Sequence, residues 1–310
     1  MGRRVSVRRV LERRPDGQLH LGDVVGDLVT LDDLTALVET RNGPVEVPLP
    51  LVSIARLVPP SAAEELALDD VVARGWRAAE TAELGGWLLR ASDGFTGRAN
   101  SVLPLRPPGL PLDDALAAAR AWYAERGLPL RLQVATESRR LLDAGLAERG
   151  WPGSDDVHVM TARLDVLQSG PGPAGPTVEV ADQPDEAWLR RYRDGTGASP
   201  AARALLVRHD HVAFVTVRDD HGNAAAIGRG TIDDEWLGVT AVEVDPQRRR
   251  TGLAGTVMRA LWGWGAAGGA RRSHLEVSAA NLPAVRLYEQ LDYRTHHDYR
   301  YRTDPSADSS

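Results

Sequence analysis

A strand followed by a helix occurs twice in this chain in closely similar form, and this repeat restricts the fold more than any other feature. Leu132–Val134 precedes a helical segment that ends at Gly150-Trp151, and Leu275–Val277 precedes one that ends at Asp292-Tyr293. An alanine-rich helical segment with a tryptophan comes before each copy, at 117–126 and at 258–267. Similar units in tandem indicate two copies of one α/β fold.

Turn-forming and proline-rich stretches divide the chain into five parts. Residues 1–60 contain short β-like segments with a hairpin signal at Asn42-Gly43, which indicates a small β-barrel. After Pro59-Pro60 come two mixed α/β units, 61–168 and 177–304, joined by a Gly- and Pro-rich linker at 169–176. Residues 305–310 are expected to form a disordered tail. The predicted fold class is therefore α/β (α+β), with two mixed-sheet units in tandem behind a barrel.

The composition excludes several kinds of site. The chain has no Cys, which excludes disulfide scaffolds, zinc-thiolate sites and a cysteine nucleophile. All its basic residues other than His are Arg, which excludes a Schiff-base lysine and a phosphate-loop lysine.

Charge and hydropathy bear on the partners of the chain. No apolar run approaches the ~20 residues that span a bilayer, so no membrane partner is expected. With no secretory signal at the start, a cytoplasmic location is expected. A net charge of −6 argues against a nucleic-acid partner. A protein partner for the N-terminal barrel is left open.

The main candidate for a functional site is a junction between a strand and a helix. Val242–Pro246 ends a strand, and 247–254 opens a helix predicted over 253–267. Gly252 and Ala254 are small enough for the backbone to approach a ligand, and the unpaired N–H groups of the first turn carry the positive end of the helix dipole. The junction therefore predicts a pyrophosphate site, with arginines 248–250 adding charge. The alternative is an ordinary helix start with a solvated arginine face.

Two motifs in this region resemble the GNAT superfamily of acyl-CoA N-acyltransferases. Arg249, Gly252 and Ala254 match its Arg/Gln-x-x-Gly-x-Gly/Ala signature. Leu275–Val277 resembles the next strand of the superfamily. The residues Asn281, Ala284, Leu287 and Tyr288 then match its Asn-x-x-Ala-x-x-Leu-Tyr helix, and a helix is predicted here over 282–290. The family's usual Gly-Phe is here Asp292-Tyr293. The resemblance covers 177–304; 61–168 resemble the same fold without the signature and are predicted to be degenerate, and 1–60 resemble a Src-homology-3-like barrel.

The resemblance implies acetyl-CoA (coenzyme A) as the cofactor, bound where two central strands part. Backbone groups of Val242, Glu243 and Val244 are then expected to hold the pantetheine arm. N–H groups are expected to hold the pyrophosphate over Arg249, Arg250, Thr251, Gly252, Leu253, Ala254 and Gly255. Asn281 lies at a position that often contacts the cofactor arm.

The same resemblance implies an N-acetyltransferase that acts on a primary amine of a protein or a small molecule. Tyr288 matches the usual general acid. Glu276 stands where bacterial ribosomal-protein N-terminal acetyltransferases have a general base, and Glu243 or a bound water are the alternatives. The acceptor is expected to be chosen partly by loops such as Asp194–Pro200.

Other interpretations remain open. One is a thiol-metabolite acetyltransferase similar to mycothiol synthase, and another is a CoA-sensing interaction protein without catalysis. Gly263-x-Gly265-x-x-Gly268 lies within a helical pattern, which is the wrong context for a dinucleotide fingerprint. His209 and His211 lack further ligands at matching spacing, so no metal is predicted.

Overall fold

The computed structural model describes residues 4–164, 177–193 and 199–306. The chain forms two compact units, Met1–Ser61 and Ala62–Ser310. Three predicted features lie wholly or partly outside the described residues: the linker at 169–176, the loop Asp194–Pro200 up to residue 198, and the tail from residue 307.

The first unit is an antiparallel sheet of five strands. The strands are β1 (Arg4–Arg13), β2 (Leu19–Leu31), β3 (Thr35–Thr40), β4 (Gly43–Pro48) and β5 (Val52–Leu57). Their order is β4-β3-β2-β1-β5. The hairpin predicted at Asn42-Gly43 is confirmed, because Thr40 pairs with Gly43, whose φ of +106° an L side chain rarely adopts. The Src-homology-3-like barrel stays a prediction.

The second unit contains eleven strands and seven helices among the described residues. Its strands are β6 (Glu80–Leu84), β7 (Trp87–Ala91), β8 (Leu103–Pro104), β9 (Arg131–Ala135), β10 (Val157–Arg163), β11 (Val178–Ala181), β12 (Val212–Arg218), β13 (Ala224–Asp233), β14 (Trp236–Val244), β15 (Arg272–Ser278) and β16 (Arg294–Thr303). Its helices are α1 (Ala62–Arg74), α2 (Leu112–Ala124), α3 (Arg140–Glu148), α4 (Glu186–Arg191), α5 (Pro200–Leu206), α6 (Leu253–Ala267) and α7 (Leu282–Gln290). Nowhere in the described parts of the chain is a helix long and apolar enough to cross a membrane.

The two halves of this unit share one sheet of eight strands. Its order is β11-β12-β13-β14-β15-β10-β16-β9. We call 62–164 the N-terminal half and 177–306 the C-terminal half. Strand β10 of the N-terminal half pairs with β15, and strand β16 of the C-terminal half pairs with β9. The last strand of each half thus completes the sheet of the other half.

Helices cover the C-terminal part of this sheet on both faces. On one face, α6 and α7 contribute Val257, Leu261 and Tyr288 to a core with strand residues such as Val239 and Leu275. On the other face, Trp188 of α4 and Leu206 of α5 lie in a core with Phe214 and Ile227. Trp76 and Ala99 of the N-terminal half also belong to this second core, which we call the inter-half core. The sheet therefore has one face whose cover comes from both halves.

Candidate functional site

The two central strands of the sheet, β14 and β15, part where β14 contains a β-bulge. In the pairing with β13, Arg229 lies opposite Thr240 and Ile227 lies opposite Glu243, so two residues of β14 face the single residue Gly228. Ala241, within the bulge, has φ of +53°. The parallel pairing of β14 with β15 ends at Val239 and Leu275. A bulge bends its strand, and here it coincides with the point where β14 and β15 part.

The bulge also decides which way the side chains beyond it point. Thr240 contacts the Arg229 guanidinium and Ala241 packs on the inter-half core, so both lie on that face. Val242 and Val244 pack on the core of α6 and α7. Because side chains alternate along a strand, Glu243 lies on the inter-half face. Backbone groups of 242–244 pair with β13 on one side only, so alternate groups face the gap.

The loop after β14 leaves the start of α6 without a side-chain cap. Arg250 has φ of +62° and Gly252, the N-cap residue, has φ of +85°. Thr256 N–H donates to Gly252 O, so the N–H groups of 253–255 precede the first helical hydrogen bond. Uncapped N–H groups at a helix start suit an anion, and the residues present fit a pyrophosphate.

A cavity of about 510 Å³ lies beside this loop. Basic and acidic side chains line it together: Arg190, Arg191, Arg248, Asp219 and Asp245. Arg191 is bonded to Asp245, and Arg248 lies 3.5 Å from Asp219. Arg249 and Arg250, in the same loop, are exposed. The loop therefore carries positive charge beside the cavity, and Asp219 and Asp245 balance part of it.

Tyr288 lies in α7, which packs beside β15, and Asn281 is the N-cap residue of that helix. Tyr288 is 8% exposed, and no hydrogen bond joins its hydroxyl to the residues that the structure describes. Burial raises the pKa of Tyr288 to about 12, so the hydroxyl keeps its proton at neutral pH. Asn281 is the N-cap of α7, and its Oδ1 accepts a hydrogen bond from the Ala284 N–H at 3.3 Å. This contact gives Asn281 a structural role whether or not it touches a ligand.

Glu276 is the first residue of β15 past the last pair with β14. Its Oε2 accepts a hydrogen bond from Arg98 Nη1 at 3.0 Å, and its Oε1 accepts one from the Tyr299 hydroxyl at 2.7 Å. Only 3% of the Glu276 side chain is exposed. Arg98 lies 4.8 Å from the centre of the Trp76 ring. Both oxygens of the predicted base are thus already engaged, one of them by the N-terminal half.

Glu243, the predicted alternative, lies on the same face of the sheet in a more open setting. It is half-buried, and its two carboxylate oxygens accept the backbone N–H of Arg193 at 3.2 and 3.0 Å. The structure therefore brings Glu243 and Glu276 to one face, whereas Tyr288 approaches from the opposite face.

A buried cation lies under the bulge. Arg229 is fully buried, and its guanidinium donates to Leu206 O and Gly75 O while lying 4.9 Å from the Trp76 ring. Its Nη2 has no hydrogen-bond partner within the described residues. Burial lowers the pKa of Arg229 to about 9. The side chain ties the ends of α1 and α5 to the strand pair that carries the bulge.

Sequence reasoning missed the residues that reach the site from elsewhere in the fold. Arg98 and Trp76 belong to loops of the half predicted to be degenerate, and no motif marks them. Ala241 has none of the glycine or asparagine character that signals a positive φ. Gly228 offered a partial signal, since a glycine inside a strand often marks a bulge or a close approach. A Cβ there would lie 2.4 Å from Val257 Cγ1, so the residue packed on it would have to shift.

Comparison with known sequences identifies relatives over most of the chain. The family model described as probable histone acetyltransferase Rv0428c C-terminal matches residues 63–302. The chain is 32% identical over 308 residues to the probable histone acetyltransferase Rv0428c of Mycobacterium tuberculosis, which covers 97% of this chain and 94% of that protein. It is 27% identical over 240 residues to the uncharacterized N-acetyltransferase YobR of Bacillus subtilis, covering 76% of this chain and 96% of YobR.

Solved structures share the fold. A GCN5-related N-acetyltransferase from Kribbella flavida superposes with a TM-score of 0.60 at 21% identity, over 77% of this chain and 95% of that one. A tandem GNAT protein from the clavulanic acid biosynthesis pathway gives a TM-score of 0.55 at 14% identity, over 80% of this chain and 90% of that one.

Proposed function

Because the chain belongs to the family of the Rv0428c C-terminal acetyltransferase domain, within the GNAT superfamily, we propose that it moves an acetyl group from acetyl-CoA to a primary amine by direct attack. Family membership makes the chain an acyltransferase, and acetyl transfer is the activity named for its relatives. Beyond acetyl transfer in general, the proposal adds an amine as the acceptor and acetyl-CoA as the donor. The observation that carries them is the gap between β14 and β15 beside the uncapped start of α6.

The residues for acetyl-CoA follow from this geometry. N–H groups over 249–255 would hold the pyrophosphate, because the loop is cationic and the helix start carries unpaired donors. Alternate backbone groups of 242–244 would hydrogen-bond the pantetheine arm where they face the gap. When bound there, acetyl-CoA supplies the thioester from which the acetyl group leaves.

The contacts favour Glu243 over Glu276 as the group that takes the amine proton, directly or through a water. A base must come within hydrogen-bond reach of the proton that it removes. Glu276 accepts two side-chain hydrogen bonds and only 3% of its side chain is exposed, whereas Glu243 is half-buried and therefore more accessible to an entering amine. Glu276 as the base stays a prediction, and its contacts support a role in holding the two halves around the site.

Tyr288 is proposed to serve the leaving sulfur. Its pKa of about 12 lies above the ordinary thiol pKa of about 8.5, so complete transfer of its proton to a thiolate is uphill. A hydrogen bond from a protonated hydroxyl still stabilises the charge that develops on sulfur. Glu243 would pass the amine proton to water, and the thiolate would take up a proton from water, so that the overall reaction forms an amide and a free thiol with no net change in protons.

The name of one relative suggests the kind of acceptor. Rv0428c is called a probable histone acetyltransferase, which makes a lysine side-chain amine of a protein the first acceptor to test, beside small amines.

Turnover with an amine panel tests the proposed function. Purified protein is given acetyl-CoA with small amines or a lysine-containing peptide, thiol release is followed, and products are identified by mass spectrometry. We expect a stable acetyl-amide and one thiol per acetyl group transferred. Thiol release without any acetylated amine, or no turnover across the panel, would count against amine acetylation.

A further inference from the structure

Arg193 follows α4 with a backbone conformation that its residue type rarely adopts. Tyr192, the C-cap residue of α4, has an extended backbone, and Arg193 then has φ of +50°. An L side chain is strained in this region, and such strain persists only where surrounding contacts hold it. The conformation matters because the Arg193 N–H lies 3.2 and 3.0 Å from the two carboxylate oxygens of Glu243 and donates to both.

Two aromatic rings hold the side chain of Arg193. Its guanidinium carbon lies 5.1 Å from the centre of the Phe95 ring and 5.4 Å from the centre of the Tyr192 ring. The two rings pack edge to face, with their centres 6.3 Å apart. A guanidinium is attracted to the face of an aromatic ring. Because Tyr192 is the chain neighbour of Arg193, Phe95 is the ring that ties this turn to the N-terminal half.

The loop 92–100 fixes Phe95 in place. Asn100 is 6% exposed, and its Nδ2 donates to Phe95 O at 2.8 Å while its Oδ1 accepts the Ser92 N–H at 2.7 Å. The Phe95 N–H donates to Ser92 O at 3.0 Å. The ring packs on the inter-half core, as Ala241 of the bulge also does. Phe95 is therefore held through both its backbone and its ring, which gives Arg193 a fixed partner.

The contact with Arg193 leaves Glu243 able to accept a proton. One N–H is shared between its two oxygens, whereas an ionised carboxylate offers about four acceptor positions. Glu243 is half-buried, so an amine or a water can reach the remaining positions. An N–H donor favours the ionised form of a carboxylate, which is the form that a base needs. The Arg193 N–H thus orients Glu243 and favours its ionised form.

We propose that Phe95 is a positioning residue for the reaction: its ring holds Arg193, and Arg193 in turn presents its N–H to Glu243. The proposal rests on the proposed function, in which Glu243 takes the amine proton. Phe95 itself takes no part in the proton transfer. The half that lacks the cofactor signature would then contribute to catalysis by fixing the base.

Four variants test this role. Phe95→Leu removes the ring but keeps an apolar side chain, whereas Phe95→Tyr keeps the ring, and the cavity of about 470 Å³ that Phe95 lines has room for the hydroxyl. Arg193→Ala removes the guanidinium without altering the loop 92–100. Trp122→Leu is the control, because it breaks a similar contact in α2, where the Arg126 guanidinium lies 3.7 Å from the centre of the Trp122 ring.

Titration of the Glu243 carboxyl tests the contact without requiring turnover. It is followed by NMR of the side-chain carboxyl carbon in glutamate-labelled protein, with the signal assigned from Glu243→Gln. We expect Phe95→Leu and Arg193→Ala to raise the titration midpoint by several tenths of a pH unit, because the ionised form loses its N–H donor. Phe95→Tyr and Trp122→Leu should leave the midpoint unchanged.

The midpoint separates the two proposals. Arg98, Arg229 and Glu276 are the other charged side chains that we place on this face, and all four variants retain them, so a shift reports on the Arg193 contact. A raised midpoint in a protein that acetylates no amine would support the positioning contact and count against amine acetylation. Equal midpoints in Phe95→Leu and the wild type would overturn the inference, whatever the activity.

Turnover then tests whether the contact serves the reaction. Phe95→Leu should lower kcat roughly two- to fivefold at low pH, and the deficit should shrink as pH rises. In the Glu243→Gln background, Phe95→Leu should have little further effect, because the base that it positions is already gone. The same fold loss in both backgrounds would show that Phe95 acts through packing alone, which contradicts the inference while leaving amine acetylation untouched.

Discussion

Arg98 and Glu276 form an ion pair between residues 178 positions apart, with Nη1 and Oε2 3.0 Å from each other. The pair joins a loop of the N-terminal half to the strand that borders the central gap. It is nearly sealed from solvent, with 19% of the Arg98 and 3% of the Glu276 side chain exposed. This contact makes the half that lacks the cofactor signature part of the site.

Arg98→Gln is expected to lower the free energy of unfolding by about 3 kcal/mol, because it leaves a buried carboxylate without its cation. Urea denaturation measures the change. Arg149→Gln breaks the more exposed pair with Asp113 and should change the free energy of unfolding much less, because solvent screens that pair. In a double-mutant cycle with Glu276→Gln, the two changes should cost less together than their sum. Strict additivity would show that the pair is not coupled.

Gly252→Ala should weaken CoA binding about tenfold in calorimetric titration, because an L side chain resists the φ of +85° that orients the start of α6. No atom lies within 4 Å of the added Cβ, so the effect comes from the backbone. Gly263→Ala, also in open space but within α6, is the control and should leave binding unchanged. Equal affinity in both variants would place the pyrophosphate elsewhere.

Tyr288→Phe should reduce kcat by ~10²–10³-fold while CoA affinity is retained, because only the hydroxyl that stabilises charge on the sulfur is removed. No hydrogen bond to a described residue is lost, so urea stability should stay close to that of the wild type. With a pKa of about 12, Tyr288 should cause no loss of kcat on the alkaline side below about pH 10. Unchanged turnover with chemistry rate-limiting would remove Tyr288 from the mechanism.

Substitution of the two carboxylates distinguishes their roles. Glu243→Gln should lower kcat most at low pH, where little of the amine is deprotonated without help, and the deficit should shrink as pH rises. Glu276→Gln should mainly lower stability, because it disrupts the contacts to Arg98 and Tyr299. Rates are measured from pH 6 to 10 beside unfolding curves. A pH-dependent deficit in Glu276→Gln alone would restore Glu276 as the base.

His274 should make the second unit sensitive to acid. Burial lowers the pKa of His274 from 6.5 to about 4, so the unfolded chain binds this proton more readily than the folded one. The resulting stability is present above pH 6.5 and is lost as pH falls toward 4, by about 3 kcal/mol. His274→Gln should flatten this decline, whereas His221→Gln, in an exposed turn, should not. Parallel declines in all three proteins would contradict the assignment.

Local features of the sequence determined the helices of the site. The bounds predicted for Leu253–Ala267 and Leu282–Gln290 are confirmed, because apolar spacing, a preceding glycine or asparagine and a following turn all lie within a few residues. The short helices Glu186–Arg191 and Pro200–Leu206 were not predicted, since fewer than two turns leave little periodicity to detect.

The sequence by itself determined the fold class, the loop before α6 and the position of Tyr288, because each depends on spacing between near neighbours. Only the tertiary structure decided that β10 pairs with β15 of the C-terminal half and that β16 pairs with β9 of the N-terminal half. Strand partners are chosen by hydrogen bonds between distant segments. The tertiary structure also decided the bulge at Ala241, where strand pairing and packing on the inter-half core enforce a positive φ that is uncommon for alanine. The contact of Arg98 with Glu276 depends on that exchange and packing, so no local pattern could have predicted it.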